Sequence, residues 1–367
     1  MVKTESPINP PISRARKDNN FDFLRFLFAV FVVISHSYPL SGNSETSQWI
    51  YQITNGQMVL ARIGLDGFFI ISGFFIFQSL QRSKSLFDYY KKRFLRVFPA
   101  LFVVLLITLL LAPFVYEGIT PFYKNKEVLT YLPNNLSLYG FQPIINGVFD
   151  NNPYHSINGS LWTIRYEFSL YIALSLLYFF RRNSKIAKTL LVASFVGLLI
   201  MYNAFLTRFT GSSVFGMLGY EILDLGTFFV CGSLLASFNF EKIISKWVFI
   251  VAVILLIFSI YFNFYSTVKH IVLPVIILLI GFMPLPFFST FGKIGDMSYG
   301  IYIYSFPVQQ ALMYFYDLSL YQLMLWSLLI SMVLAYLSCH LVEKEALKYK
   351  NKKKLKPIIM SGNEIAK

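Results

Sequence analysis

Long apolar runs that almost lack charge are the feature that most constrains this chain. Ten of them follow one another between residues 21 and 342, each close to the length of a helix that crosses a bilayer. Only 14% of the residues are charged, against roughly a quarter in soluble domains. If spans use about 200 of the residues, no room remains for a large soluble domain. The sequence therefore predicts an all-α polytopic membrane protein.

The polar segments between the runs bound the predicted spans to within a few residues. These spans are 21–40, 59–81, 97–116, 161–180, 189–206, 219–238, 247–264, 268–287, 298–316 and 321–342. We expect an N-terminal tail over 1–20, a membrane domain over 21–342 and a basic tail over 343–367. The segment 117–160, rich in Pro, Asn and aromatic residues, is expected to form a re-entrant or capping loop.

Lys and Arg are distributed unevenly between the two sides of these spans. Of the 32 basic residues, 25 fall in segments on the side of the N-terminus, four fall on the other side and three lie within spans. This positive-inside pattern predicts that both termini are cytoplasmic, in a multi-pass membrane protein. It also assigns the net charge of +14 to contact with anionic lipids rather than with nucleic acid.

Charged residues inside a membrane are costly, so those that remain are candidates for function. In the first span Arg25 and His36 are 11 residues apart, close to three helical turns, so they share one face about 16 Å apart. Asp22, three residues before Arg25, shares that face. We expect Arg25 near the cytoplasmic end and His36 deep, toward the outer half.

Two further spans place ionisable groups at a depth similar to that of His36. Arg62 and Asp66 form an i,i+4 pair in the second span, and Glu167 lies near the outer end of the fourth, beside Arg165. Counted along the helix axes, Asp66, Glu167 and His36 lie about 6–10 Å from the outer ends of their spans. The sequence thus predicts one acid–base chamber that contains these three groups.

Other ionisable residues near span ends have simpler interpretations. Glu221 and Asp224 fall near the start of the sixth span, Lys269 is assigned to an outer loop, and His270 and His340 are expected at the interface.

The cytoplasmic side carries the basic segment Lys92–Arg93 and, three residues on, Arg96. Paired guanidinium groups suit bidentate phosphate binding, although a positive-inside stop signal is the simpler interpretation of this segment alone. Together with the deep His36, it suggests a phosphate-bearing donor that docks inside and extends toward the imidazole.

These segments make the chain resemble the bacterial membrane acyltransferase-3 family, integral membrane enzymes that acylate surface glycans. The resemblance extends over nearly the whole chain, and its motifs are "DFLRFLFAVFVVISHSYPLSG" at 22–42, "GLDGFFIISGFFIFQSL" at 64–80, "RFLRVFPA" at 93–100, "NGSLWTIRYEFSLY" at 158–171 and "GDMSYGIYIYSFPVQQ" at 295–310.

The resemblance implies an acyl-CoA co-substrate on the cytoplasmic side, often acetyl-CoA, and no metal. It implies that His36 is catalytic and that Arg25 is its essential partner. Arg93 and Arg96 occupy the family's Arg-x-x-Arg positions, thought to serve the donor together with the neighbouring Lys92.

Four other residues fall on family motifs. Trp162 and Glu167 match "LWTxxxE", while Asp66 and Ser72 match "GxDxFFxxSGF". The resemblance therefore assigns Glu167 and Asp66 to the catalytic group, and Ser72 and Trp162 to supporting positions.

The chain also departs from the family pattern. Ser305 stands where many relatives have His before Phe-Pro, so that position receives no catalytic role. Arg165 replaces a small residue or Pro and is expected to neutralise Glu167 or contact the acceptor, and Glu345 replaces the usual Pro. No hydrolase-like domain follows the spans, which implies action alone or with a separate partner.

The predicted reaction is transfer of an acyl group from a thioester to a hydroxyl of a surface polysaccharide or lipid-linked glycan. His36 acts either as the base that takes the hydroxyl proton or as a transient acyl carrier, with Asp66 or Glu167 holding its ring. A transporter or glycan flippase that uses the buried charges as a relay is the rival interpretation. A non-catalytic scaffold, which would tolerate loss of His36, is the third.

Overall fold

The computed structural model describes residues 19–293 and 295–349, so most of both predicted tails, 1–18 and 350–367, lies outside the described residues. Within this part, eleven helices have ten or more residues and are numbered α1 to α11. They are α1 Phe21–Leu40, α2 Leu60–Arg82, α3 Leu86–Leu111, α4 Lys126–Leu136, α5 Ile164–Ser175, α6 Ser184–Phe209, α7 Gly219–Ser237, α8 Lys246–Tyr261, α9 Tyr265–Phe282, α10 Ser298–Phe315 and α11 Leu320–Ser338.

Shorter elements join or extend these helices. One-turn α-helices span Trp49–Ile53, Pro286–Ser289 and Lys344–Lys348, and a π-helical turn, Cys339–Glu343, continues α11. Two short strands, β1 Ser213–Val214 and β2 Met217–Leu218, pair antiparallel between α6 and α7.

Each of the ten predicted runs overlaps one of the long helices. The first run coincides with α1, whereas α3 begins at Leu86 rather than at residue 97, because Ser85 caps it by accepting the N–H of Asp88. The fourth run is broken into α5 with a 3₁₀ turn at each end.

Seven helical segments among the described residues are long and apolar enough to cross a membrane. The chain is therefore a mainly helical, multi-pass membrane protein.

Helix α2 forms the centre of the bundle. It packs between α1 and α7, while α1 also packs against α10 and α10 against α11. Helices α6 and α8 are peripheral, since α6 packs on α7 and α8 on α9. Many of their large apolar side chains are exposed, as expected of helices that face lipid.

Two glycines let α2 and α7 approach to backbone contact. A Cβ atom on Gly73 would overlap the carbonyl oxygen of Phe229, and one on Gly232 would overlap that of Ile70. The Ser233 hydroxyl donates a hydrogen bond to the Gly73 carbonyl at 2.9 Å. Small residues and interhelical hydrogen bonds are the usual basis of helix association in membranes, where water does not drive burial.

The segment between α3 and α5 is a folded cap. Helix α4 packs against α3. The Asn152 side chain donates to the Oε1 of Gln310 at 2.7 Å, and Asn158 donates to the Ile303 carbonyl at 2.9 Å. The segment is therefore folded and packs against α3 and α10.

We predict that Gly73→Ala destabilises the protein by about 1–3 kcal/mol, because the added methyl group must separate α2 from α7. Gly197→Ala on α6 is the matched control, since a Cβ there meets nothing within 4 Å and Ala favours a helix. Thermal unfolding of the purified proteins in detergent measures the difference. Equal melting temperatures for the two variants would contradict this packing.

Candidate active site

A partly open cavity of about 440 Å³ lies among α1, α2, α3, α5 and α10. Its charged lining residues are Arg25, Arg82, Lys92, Arg93, Arg96, Glu167 and Asp296. Its hydroxyl-bearing lining residues are Ser72, Ser79, Thr163, Tyr171, Ser298, Tyr299 and Tyr302. The other lining residues are apolar. Such a mixture of apolar walls with a few polar groups is typical of a binding site for a small molecule.

The cationic residues gather at one end of the cavity. The start of α1, the end of α2 and the start of α3 meet there, because successive helices run in opposite directions. The basic segment of α3 thus faces a cavity, which a stop signal alone does not require.

Arg25 and Arg96 are held by one carboxylate. The Asp296 Oδ2 lies 2.5 Å from Arg96 and 3.6 Å from Arg25. Arg25 also pairs with Asp22 at 3.3 Å, as its i,i+3 spacing predicted. Burial alone would raise the pKa of the Asp296 carboxyl, but Arg96 and Arg25, with hydrogen bonds from Ser298, hold that pKa well below its usual value. The ionised carboxylate therefore stabilises the fold at neutral pH, and this contribution is lost only in strong acid.

Arg93 has a different environment from Arg96. Its guanidinium donates to the Ser79 hydroxyl at 3.1 Å and lies 5.9 Å from the centre of the Tyr171 ring. Among the described residues it forms no ion pair with a carboxylate. Lys92, in contrast, pairs with Asp88 at 2.6 Å.

Farther along the cavity, Glu167 accepts hydrogen bonds from two hydroxyl groups. Ser72 donates to its Oε1 at 3.2 Å, and the Tyr171 hydroxyl donates to the same oxygen. Ser72 and Tyr171 also lie 3.3 Å apart. Ser72 and Glu167, which the sequence analysis identified, are thus in contact with each other. The third member of this group, Tyr171, was not identified from the sequence.

His36 is not among the residues that line this cavity. Its partly exposed ring packs edge-on against Phe306 at 5.3 Å, and its buried Nδ1 has no hydrogen-bond partner among the described residues. Phe306 lies one turn of α10, about 6 Å along the helix axis, beyond Tyr302, which lines the cavity and bonds Thr163 at 2.7 Å. The imidazole therefore packs on α10, the helix that also forms part of the cavity wall.

Asp66 belongs to a separate cluster at the other end of the bundle. Its Oδ1 lies 3.4 Å from Arg62, as the i,i+4 spacing predicted, and its two oxygens have no hydrogen-bond partner in the part of the chain that the structure describes. Arg62 also pairs with Glu221 at 2.7 Å and with Asp224.

Asp224 is the centre of that cluster. Lys269 lies 2.7 Å from its Oδ1, and the Nε2 of His270 lies 2.6 Å from the same oxygen. The expectations for these two residues were wrong: helix α9 begins at Tyr265, so both lie inside it and are buried. The cluster joins α2, α7 and α9.

The predicted common chamber of His36, Asp66 and Glu167 is therefore not one site. His36 contacts Phe306, Asp66 pairs with Arg62, and Glu167 lines the cavity. Equal depth along the helix axes did not bring the groups together, because depth says nothing of the direction in which each side chain points around its helix.

Arg165 and Trp162 lie outside the cavity lining. The Arg165 guanidinium lies 5.3 Å from the Phe141 ring centre and 5.5 Å from that of Tyr166, and it forms no ion pair with Glu167 in the described structure. Trp162 packs edge-on against Tyr166 at 5.3 Å. The expected neutralisation of Glu167 by Arg165 is therefore wrong.

Sequence reasoning missed Asp296 and Tyr171. Both lie within motifs that the resemblance covers, at 295–310 and 158–171. A signal for Asp296 was present in the sequence. It is a carboxylate within one helical turn of a predicted span, on the side of the bundle that holds most of the Lys and Arg residues, and these cations need negatively charged partners.

Comparisons with known proteins match the region that contains this cavity. A family model described as an acyltransferase domain matches residues 18–343. The O-acetyl transferase of Shigella phage Sf6 is 30% identical over 336 residues, which cover 90% of this chain and 96% of that protein. Nodulation protein 10 of Rhizobium leguminosarum bv. viciae is 31% identical over 191 residues, or 48% of each chain. No solved structure matches the chain.

We predict that Asp224→Asn destabilises the protein by about 3–5 kcal/mol, because Arg62 and Lys269 would lose a buried counter-charge. Glu345→Gln is the control, since its pair with Lys348 is more than half exposed and should contribute little. Thermal unfolding in detergent compares the two variants. A melting temperature of Asp224→Asn equal to that of the control would show that the cluster does not hold α2, α7 and α9 together.

Proposed function

This chain belongs to the acyltransferase-3 family, and from that membership we propose that it is a membrane O-acyltransferase using cytoplasmic acyl-CoA. The acceptor is a hydroxyl of a cell-surface polysaccharide or lipid-linked glycan, and the membrane is the bacterial plasma membrane. The name of the phage relative, an O-acetyl transferase, supports acetyl as the acyl group.

The cavity is the observation on which this proposal rests. Its basic end contains Lys92, Arg93 and Arg96 and suits the phosphate groups of a coenzyme A derivative, chiefly through Arg93, which forms no ion pair within the described residues. Its apolar walls suit the pantetheine chain, which has few charges. A transporter relay needs neither feature.

The hydroxyl groups of Ser72 and Tyr171, which are hydrogen-bonded to Glu167, suit the acyl end of the donor. Ser72 and Tyr171 are hydrogen-bond donors inside the cavity, and Glu167 fixes their orientation. Each hydroxyl has a single proton and donates it to Glu167 in this structure. We therefore assign these hydroxyls to the thioester carbonyl once the donor replaces Glu167 as their acceptor, since charge develops there as the acceptor oxygen attacks.

His36 is the proposed catalytic residue, as base or as acyl carrier. As a base, the imidazole takes the acceptor's proton while the new C–O ester bond forms and the C–S bond breaks, and the proton then passes to the CoA thiolate. Its buried Nδ1 has no hydrogen-bond partner among the described residues, so no described group fixes the tautomer of the ring. Because His36 does not line the cavity in this structure, transfer requires a movement that brings the imidazole and the acyl end of the donor together.

The experiment that tests the proposal combines purified protein in nanodiscs with radiolabelled acetyl-CoA and a lipid-linked or polymeric glycan from the host. Release of CoA together with label in the glycan is the expected result. If no acetyl-CoA is consumed with any of the glycans tested, the transporter interpretation is favoured instead. Mass spectrometry of surface glycan from cells with and without the protein identifies the acceptor.

We predict that His36→Ala lowers acyl transfer to background, because it removes the only group assigned to proton or acyl transfer. His340→Ala is the matched control, since that ring lies at the end of α11 and bonds Lys344 at 2.7 Å. Label transfer and melting temperature are measured for both. Substantial transfer by a well-folded His36→Ala protein would exclude both roles of the imidazole.

We predict that Tyr171→Phe lowers kcat roughly tenfold or more while the Kd for CoA changes little, because it removes a hydroxyl aimed at the acyl end and keeps the ring. Tyr178→Phe is the control, since the Tyr178 hydroxyl bonds the Lys84 carbonyl and lies outside the cavity lining. Steady-state kinetics and CoA binding separate the two quantities. A selective loss of CoA affinity in Tyr171→Phe would place this hydroxyl at the phosphates instead.

A further inference from the structure

We propose that Asp296 is a positioning residue that holds Arg25 and Arg96 in the cavity wall, and that Arg93, assisted by Arg82, binds the phosphates of the donor. The two arginines of the Arg-x-x-Arg pair would then have different roles. This inference rests on the proposed function, because it concerns the same cavity and the same donor.

The backbone around Asp296 is shaped to place its carboxylate. Gly295 has φ +111°, in a region that favours glycine, and a Cβ there would lie 3.1 Å from the Cys339 sulfur. The N–H and hydroxyl of Ser298 both donate to the Asp296 Oδ1, at 3.2 and 2.5 Å. The Oδ2 is therefore directed to the arginines.

Arg25 and Arg96 are each flanked by two carboxylates. Arg96 lies 2.5 Å from Asp296 and 3.6 Å from Glu343. Arg25 lies between Asp22 and Asp296. Within the described residues these two positive charges face three carboxyl groups, so an incoming phosphate would find little uncompensated charge at this point.

Arg93 and Arg82 have no such compensation. Both line the cavity, and within the described residues neither forms an ion pair with a carboxylate. Arg93 donates to Ser79, and the exposed Arg82 makes a 3.4 Å hydrogen bond to Gln78. Uncompensated guanidinium groups on two adjacent helices are the arrangement that binds phosphate.

Binding of CoA to the full chain in nanodiscs separates the two roles. We expect Arg93→Ala to raise the Kd for CoA at least tenfold and to reduce the dependence of binding on salt. We expect Arg96→Ala and Asp296→Asn to change that Kd less than threefold, while kcat falls at least tenfold. Arg208→Ala, on the exposed surface of α6, is the matched control and should change neither quantity.

A double-mutant cycle adds a readout that a general loss of stability would not produce. If Asp296 acts through Arg96, the double variant Asp296→Asn/Arg96→Ala should lose no more kcat than either single variant. Arg96→Lys, which keeps a charge toward Asp296, should recover part of the kcat lost in Arg96→Ala. Melting temperatures identify any variant that does not fold. If Arg96→Ala does not fold, the kcat of Arg96→Lys is compared with that of the wild-type protein instead.

Three results would overturn the inference. One is a loss of CoA affinity in Arg96→Ala equal to that in Arg93→Ala. Another is a wild-type kcat in Asp296→Asn, and the third is full additivity in the cycle. Failure of the wild-type protein to bind CoA would instead remove the proposed function, and this inference with it.

Discussion

A charge buried among apolar helices must have an opposite charge beside it, and two aspartates meet this requirement for most of the bundle. Asp224 joins α2, α7 and α9 through Arg62, Lys269 and His270. Asp296 joins the start of α1 to the start of α3 through Arg25 and Arg96. Unpaired buried charges of this kind would cost several kcal/mol each. The arrangement of the helices around the cavity therefore depends on these carboxylates as well as on apolar packing.

This pairing also decides what the cavity can bind. Most cations near it are compensated, and the positive charge left over belongs to guanidinium groups at one end. The hydroxyl groups of Ser72 and Tyr171, which are hydrogen-bonded to Glu167, lie farther in, between apolar walls. A cavity with an anion-binding end and a neutral hydrogen-bonding interior matches a long donor that is charged at one end and reactive at the other. Acyl-CoA, the donor that we propose for this member of an acyltransferase family, has this form.

Much of the fold could be predicted from the sequence, and less of the site. Apolar length located a helix in each predicted run, and the bounds of α1 agree with the prediction. Spacing within one helix predicted the Asp22–Arg25 and Arg62–Asp66 pairs correctly. The common chamber of His36, Asp66 and Glu167 was wrong, because it combined depths from three helices without knowing how each is rotated.

The sequence by itself determined the class of protein, the positions of its helices and the ion pairs within a single helix. These properties follow from the cost of placing polar groups in lipid and from the 3.6-residue period, both of which are local. Only the tertiary structure decided which carboxylate compensates which cation across helices, as when Asp296 binds Arg96 from 200 residues away. Such contacts depend on the rotation and packing of neighbouring helices, which glycines such as Gly73 set through backbone contact and which no single segment encodes.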